Sequence, residues 1–173
     1  MCTLRAVPHL RMSRRTWLIG TAAAIVAAIG LTWLLWPADD AEPRARQYTA
    51  ATACLLTPAA GITDKAAVPV WDGMQKASLA THGKVRYLAV TGDQTPANAA
   101  TYLATLAIGG CNLILATGQA PAAAVDAATY PTMHFVVIGA GKTQPNVTQI
   151  TEPNAAATTD AVRSLVSTAL KSA

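Results

Sequence analysis

Charge is scarce in this chain. Of 173 residues, 13% are Asp, Glu, Lys or Arg and 5% are aromatic, with a single Phe. A disordered tail, a coiled coil and a histone-like basic protein all need more charge, and a mean hydropathy of +0.31 excludes them. Histidine and cysteine number three each. His9, His82 and His134 have no carboxylate or second imidazole at ligand spacing, so no metal site is expected. No Gly-x-Ser-x-Gly elbow supplies a hydrolase nucleophile. Gly139-Ala140-Gly141-Lys142-Thr143 ends like a phosphate loop, but Val136 stands where its first glycine belongs and Pro145 breaks the helix that should follow. No nucleoside triphosphate site and no cofactor are expected.

Acidic residues are missing altogether from the start of the chain. Arg5, Arg11, Arg14 and Arg15 precede position 16 unopposed, which leaves 9 of the 13 basic residues to balance the 9 acidic ones over residues 37–173. The net charge of +4 therefore belongs to the tail. The remainder is neutral, and the charge balance gives no support for a nucleic-acid partner.

What the chain does have is a long apolar run. Residues 16–36 (TWLIGTAAAIVAAIGLTWLLW) carry no charge and as a helix span roughly 31 Å, enough to cross a bilayer. Trp17 lies at one edge, Trp33 and Trp36 at the other, as interfacial indoles do. The run exceeds the ~7–15 residue apolar core of a signal peptide, and no Ala-x-Ala site follows closely. An uncleaved signal anchor is expected, with residues 1–15 cytoplasmic and 37–173 extracytoplasmic, because arginines precede the run and Asp39, Asp40 and Glu42 follow it. Ser13-Arg14-Arg15-Thr16-Trp17-Leu18 also resembles a twin-arginine export signal, which leads to the same side of the membrane. Cys2 has no lipobox before it and is not read as a lipid anchor.

Residues 37–47 are polar with two prolines and read as a tether. Residues 48–173 read as one α/β domain. Short apolar runs at 53–57, 85–90, 113–116, 135–138 and 147–150, bounded by Gly, Pro, Asn or Asp, have the look of buried parallel strands. Helical periods lie between them: Ala99, Tyr102, Leu103, Leu106 and Ala107 share one face, Val162, Leu165, Val166 and Ala169 another. Pro69 and Pro121 fall in first helical turns, the latter of a helix expected over 122–129. The order β-α-β-α-β-α-β-β-α predicts a doubly wound parallel sheet of about five strands, ordered 2-1-3-4-5. Ligands of such sheets sit beyond the carboxyl ends of the strands. That rim is predicted from residues 57–65, 91–96, 117–121 and 139–144.

Cys54 falls in the first strand and Cys111 just before the third, its expected neighbour. A register offset of three residues is roughly 10 Å at strand rise, beyond disulfide reach. Two buried thiols and a bridge both stay open at this point. Asn146-Val147-Thr148 fits a glycosylation sequon, relevant only in a eukaryotic secretory pathway.

Taken together, Ala53-Cys54-Leu55-Leu56-Thr57, Gly61-Ile62-Thr63-Asp64-Lys65 and Trp71-Asp72-Gly73-Met74 resemble the N-terminal lobe of the basic membrane protein family. These are the nucleoside-type substrate-binding proteins of ABC importers, with a periplasmic-binding-protein fold. The resemblance runs over roughly residues 50–150. It implies one periplasmic-binding-protein-like lobe, a nucleoside-like small-molecule ligand, and an ABC permease as partner. Carried over by motif and rim position, the ligand-binding candidates are Thr57, Asp64, Lys65, Gly92, Asp93, Gly118, Gln119 and Gly139. Ala66-Ala67-Val68 stand where the family has its Phe-Asn pair, and Pro58 or Ala59 where it has an acidic residue. Asp64 reads either as a ligand carboxylate or as a plain residue that caps the helix that follows or satisfies loop amides. Trp71 and Met74 are expected in the core. With no nucleophile, base and orienting group to assemble, the expected protein is a bacterial, membrane-anchored, non-catalytic binding domain. The alternative is an envelope docking or structural module that meets a protein partner or a second copy of itself.

Overall fold

A computed structural model describes residues 47–139 and 141–173. The predicted anchor at 16–36 and most of the tether lie outside the described residues. Within them, no helix is long and apolar enough to cross a membrane.

The elements are β1 (Thr52–Thr57), α1 (Ala67–Thr81), β2 (Lys84–Ala89), α2 (Pro96–Ile108), β3 (Leu113–Thr117), α3 (Gln119–Ala124), β4 (His134–Ile138), β5 (Val147–Ile150) and α4 (Ala155–Ser172). All strand pairs are parallel and the order is β2-β1-β3-β4-β5, as the sequence pattern predicts. The period-2 geometry of each strand divides its side chains between two helical layers. Cys54, Leu56, Ile114, Ala116, Phe135 and Val137 face α2 and α3. Ala53, Leu55, Leu113, Leu115, Val136 and Ile150 face α1 and α4. Because both faces are covered, β1 and β3 are continuous apolar runs inside their terminal threonines rather than alternating.

Local chemistry sets the helix ends. Pro96 occupies the first turn of α2 and the Thr95 hydroxyl accepts the Asn98 N–H at 3.2 Å. Asn154 Oδ1 accepts the Ala157 N–H at 2.9 Å to start α4. The helix expected over 122–129 instead ends at Ala124. The Asp126 carboxylate takes the Ala128 N–H at 3.1 Å and the Thr129 hydroxyl at 2.8 Å. The Gln144 side chain takes the Ala127 N–H and donates to the Val125 carbonyl. These bonds capture the groups that would have continued the helix.

At Gly73 in α1, an added Cβ would lie 2.6 Å from the Thr159 carbonyl oxygen and 3.0 Å from the Val162 Cβ. The glycine thus lets α1 and α4 pack backbone to side chain over β1. Among the described residues the β4–β5 crossover contains no helix. Residues 141–146 descend instead on the α2 side, with Gly141 against Val137, the Gln149 amide on the Gly141 carbonyl at 2.9 Å, and the Asn146 amide on the carbonyls of Tyr130 and Met133 at 2.9 and 2.7 Å. Rightward crossovers lie on this face and the leftward one, α1, on the other, which keeps every connection right-handed.

Cys54 and Cys111 form a disulfide with Cα atoms 5.9 Å apart. The three-residue offset is real, since Cys54 is level with Ile114. The inference against a bridge fails because Cys111 is not in the sheet plane. The chain arrives from the α2 layer and joins the ladder only at Asn112, whose N–H reaches the Thr52 carbonyl at 2.8 Å. Cys111 therefore lies over the face toward which Cys54 points.

Candidate functional site

The carboxyl ends of the strands carry a groove of about 480 Å³ lined by Asp64, Lys65, Ala66, Pro69, Ile138, Glu152, Asn154, Ala155 and Thr158. Ile138, at the end of β4, supplies apolar surface between the first turns of α1 and α4. Both helix N-termini lend partial positive charge to this end of the molecule, and Lys65 adds a full one on an exposed side chain. The Asp64 and Glu152 carboxylates offset it. Such a lining offers an apolar floor and hydrogen-bonding walls of both signs, which suits a small, polar, uncharged or zwitterionic molecule.

The predicted rim residues fall into separate groups. Asp64 and Lys65 line the groove, and Gly139 follows Ile138 with its N–H on the Ile150 carbonyl at 2.9 Å. Thr57 is fully buried, and its hydroxyl faces the Leu88 carbonyl at 3.4 Å. Gly92 and Asp93 belong to a self-tied loop in which the Asn98 amide donates to the Thr91 and Asp93 carbonyls, both at 2.8 Å. Gly118, with φ +87°, opens α3, and Gln119 is that helix's exposed first residue. Gly92, Asp93, Gly118 and Gln119 are not brought to the groove. The crevice between β1 and β3, where the winding reverses, is closed by Pro58: a Cβ on Gly118 would come within 2.4 Å of the Pro58 ring.

Asp64 caps. Its Oδ1 accepts the Ala66 N–H at 2.9 Å, and its carbonyl accepts those of Ala67 and Val68. Its second carboxylate oxygen leaves room for a ligand role beside this one. Trp71 is half-buried, edge-on to Tyr87 with centroids 5.5 Å apart, and Met74 is fully buried. Glu152, Asn154 and Thr158 were not among the predicted rim residues. They follow β5, and extending the carboxyl-end rule to the fifth strand points to them. Among the described residues no three His, Cys, Asp or Glu side chains group as a metal site.

A second groove, about 630 Å³, opens at the opposite end between α4 and the sheet, lined among others by Leu113, His134, Val136, Thr148, Leu165 and Ala169. It is the roomier of the two, but it lies at the amino ends of the strands, where doubly wound sheets do not place their ligands.

A solved structure shares this fold. It is a "putative lipoprotein" fragment from Peptoclostridium difficile 630, 14% identical, with a TM-score of 0.58 over 69% of this chain and 98% of that one. A transcriptional activator of the comK gene from Bacillus halodurans is 20% identical and an ABC transporter system solute-binding protein from Aeropyrum pernix K1 22% identical, each with a TM-score of 0.45 over 57% of this chain. The chain spans 33% and 28% of those two proteins, and superposition at that level does not establish a shared fold. No protein-family model and no curated protein matches the chain.

Proposed function

We propose that this protein is a membrane-anchored, non-catalytic, extracytoplasmic binding domain that takes a small polar molecule in the groove between Asp64–Lys65 and Glu152–Asn154. The groove carries the reading: it lies where a doubly wound sheet presents its loops, and it combines an apolar floor with side chains of both charges. The sequence resemblance to the basic membrane protein family supports a nucleoside-like ligand and an ABC permease as partner, and residues 16–36 support the anchor. The shared fold with a lipoprotein fragment is consistent with an extracytoplasmic location. The groove by itself is open to solvent on one side, so weak affinity is expected of this domain.

The test is thermal denaturation of the full chain against nucleosides and other small metabolites. At ten times Kd the stabilisation is about 1.4 kcal/mol, or about 5 °C for a domain of this size. A rise of that kind that Lys65→Ala abolishes supports the reading, whereas no rise with any compound at 10 mM sinks it. One observation favours a docking module instead. Val68 and Leu79 on α1 are 52% and 57% exposed, on the same helix as Trp71, which meets Tyr87 of edge strand β2. A specific partner lost on Leu79→Glu, with no ligand response, would decide for it.

A further inference from the structure

We propose that Arg86 makes the Cys54–Cys111 bridge redox-responsive rather than a fixed cross-link. Arg86 on edge strand β2 is the register partner of Cys54. Its Nε donates to Cys54 Sγ at 3.1 Å and its Nη2 to Cys111 Sγ at 3.2 Å. The same Nη2 donates to the Gly109 carbonyl at the end of α2. Gly109 has no room for a side chain there, since a Cβ would lie 2.6 Å from Nη2.

A disulfide sulfur is neutral and a weak acceptor, whereas a thiolate carries a full charge. A guanidinium donating to both sulfurs therefore stabilises the reduced pair more than the oxidised one, and it lowers the pKa of the sulfur that leaves. Arg86 is the charged group that touches the sulfurs. The cluster around them, including Leu56, Leu106 and Ile114, is apolar. That environment opposes ionisation by desolvation, while Arg86, itself exposed, brings its charge to the sulfurs with part of it screened by solvent.

The reductant is a dithiol. Its thiolate attacks Cys111, which is 4% exposed against 0% for Cys54. The Sγ–Sγ bond breaks, and its electron pair goes to Cys54 Sγ, which Arg86 Nε holds as thiolate. The second thiol of the reductant attacks the mixed disulfide, releases Cys111, and leaves as the reductant's own disulfide. Two electrons pass to the cysteine pair, and the protons of the dithiol go to the released sulfurs or to water. Opening the bridge removes the covalent tie between β1 and the turn that ends α2, while the Asn112–Thr52 bonds and the Arg86–Gly109 bond hold the fold.

The experiment equilibrates the full chain carrying Cys2→Ser, in detergent micelles, with mixtures of reduced and oxidised dithiothreitol, and quantifies trapped thiols by mass. Arg86→Met is expected to shift the equilibrium at least tenfold toward the disulfide and to slow reduction. Arg86→Lys should restore part of both. The alkylation rate of the reduced native protein should titrate below the ordinary cysteine value and move upward in Arg86→Met. The proposal is overturned by equal equilibrium constants in native and Arg86→Met protein, or by reduction that proceeds only at the rate of global unfolding. Should Arg86→Met fail to fold, an alkylation midpoint at or above the ordinary value in the native sequence overturns it equally.

Discussion

Replacing both Cys54 and Cys111 with alanine should cost this domain about 4 kcal/mol. The bridge closes a loop across a sequence separation of 57 residues that holds α1, β2 and α2. In the chain-entropy account, cross-linking a loop of that length removes about 14 cal/mol/K from the denatured ensemble, or about 4 kcal/mol at 25 °C. The side chains lost are small, and Arg86 keeps its bond to the Gly109 carbonyl, so the native state changes little. At about 2 cal/mol/K of unfolding entropy per residue over residues 47–173, the midpoint should fall by about 15 °C. Urea unfolding of the double variant and the oxidised parent, followed by far-UV circular dichroism, measures the difference. The denaturant slope of the variant should rise, because its unfolded chain is no longer cross-linked. A loss below about 1 kcal/mol with an unchanged slope would refute the reasoning, since it would mean that the bridge does not constrain the denatured chain.

Gly73→Ala should destabilise by about 1–3 kcal/mol through overpacking of α1 against α4, whose Thr159 carbonyl and Val162 stand in the way; calorimetry reads the loss. Asn146→Ala removes the donor to the Tyr130 and Met133 carbonyls and should cost about 1–3 kcal/mol in a urea melt. Asp126 sits below its ordinary value of 3.8 because the Thr129 hydroxyl, then the Ala128 N–H, bond its charged form. Its folded pKa being the lower one, its stabilisation is complete above 3.8 and lost as the pH falls through the folded value. The stability gap between native protein and Asp126→Asn should therefore close on acidification below 3.8, and a gap that widened there would refute the assignment. Asp64→Asn keeps the acceptor for the Ala66 N–H and should leave the melting point nearly unchanged, whereas Asp64→Ala should cost about 0.5–2 kcal/mol. If Asp64→Asn also abolishes a ligand-induced shift, the second carboxylate oxygen has a binding role.

The strand order was legible because residues 53–56 of β1 and 113–116 of β3 are apolar without a break, which is the pattern of strands covered on both sides. The missing helix between β4 and β5 was legible too, from Pro145 and the short spacing. What pattern could not reveal was how the chain approaches β3. Two residues level in sequence register can be far apart, and two residues offset by three can be joined, when one arrives from the helix layer above the sheet; Cys54 and Cys111 are such a pair. The site was half legible for a related reason. Asp64 and Lys65 lie in the connection from β1 to α1, on the rim that the strand order predicts. Glu152 and Asn154 belong to a tight link into α4 that looks, in sequence, like an ordinary cap, and only the packing of α4 against α1 through Gly73 brings that cap beside Asp64.

That packing also moves the groove. In a doubly wound sheet the cleft opens where neighbouring connections leave toward opposite faces, here between β1 and β3. Pro58 occupies this place against Gly118, whose φ of +87° and absent side chain let the ring approach. With Pro58 at the switch point, the groove at this end lies to one side, on the α1–α4 face over Ile138. A molecule held there touches two helix starts and the end of β4, but not the Gly92–Asp93 loop or Gln119 on the far side of the sheet. The rim positions predicted from topology alone therefore divide into those that can share a ligand, Asp64 and Lys65 with Gly139 adjacent, and those that cannot. Any ligand of this domain should be sensitive to changes at β5 and α4, and indifferent to changes in the loop after β2.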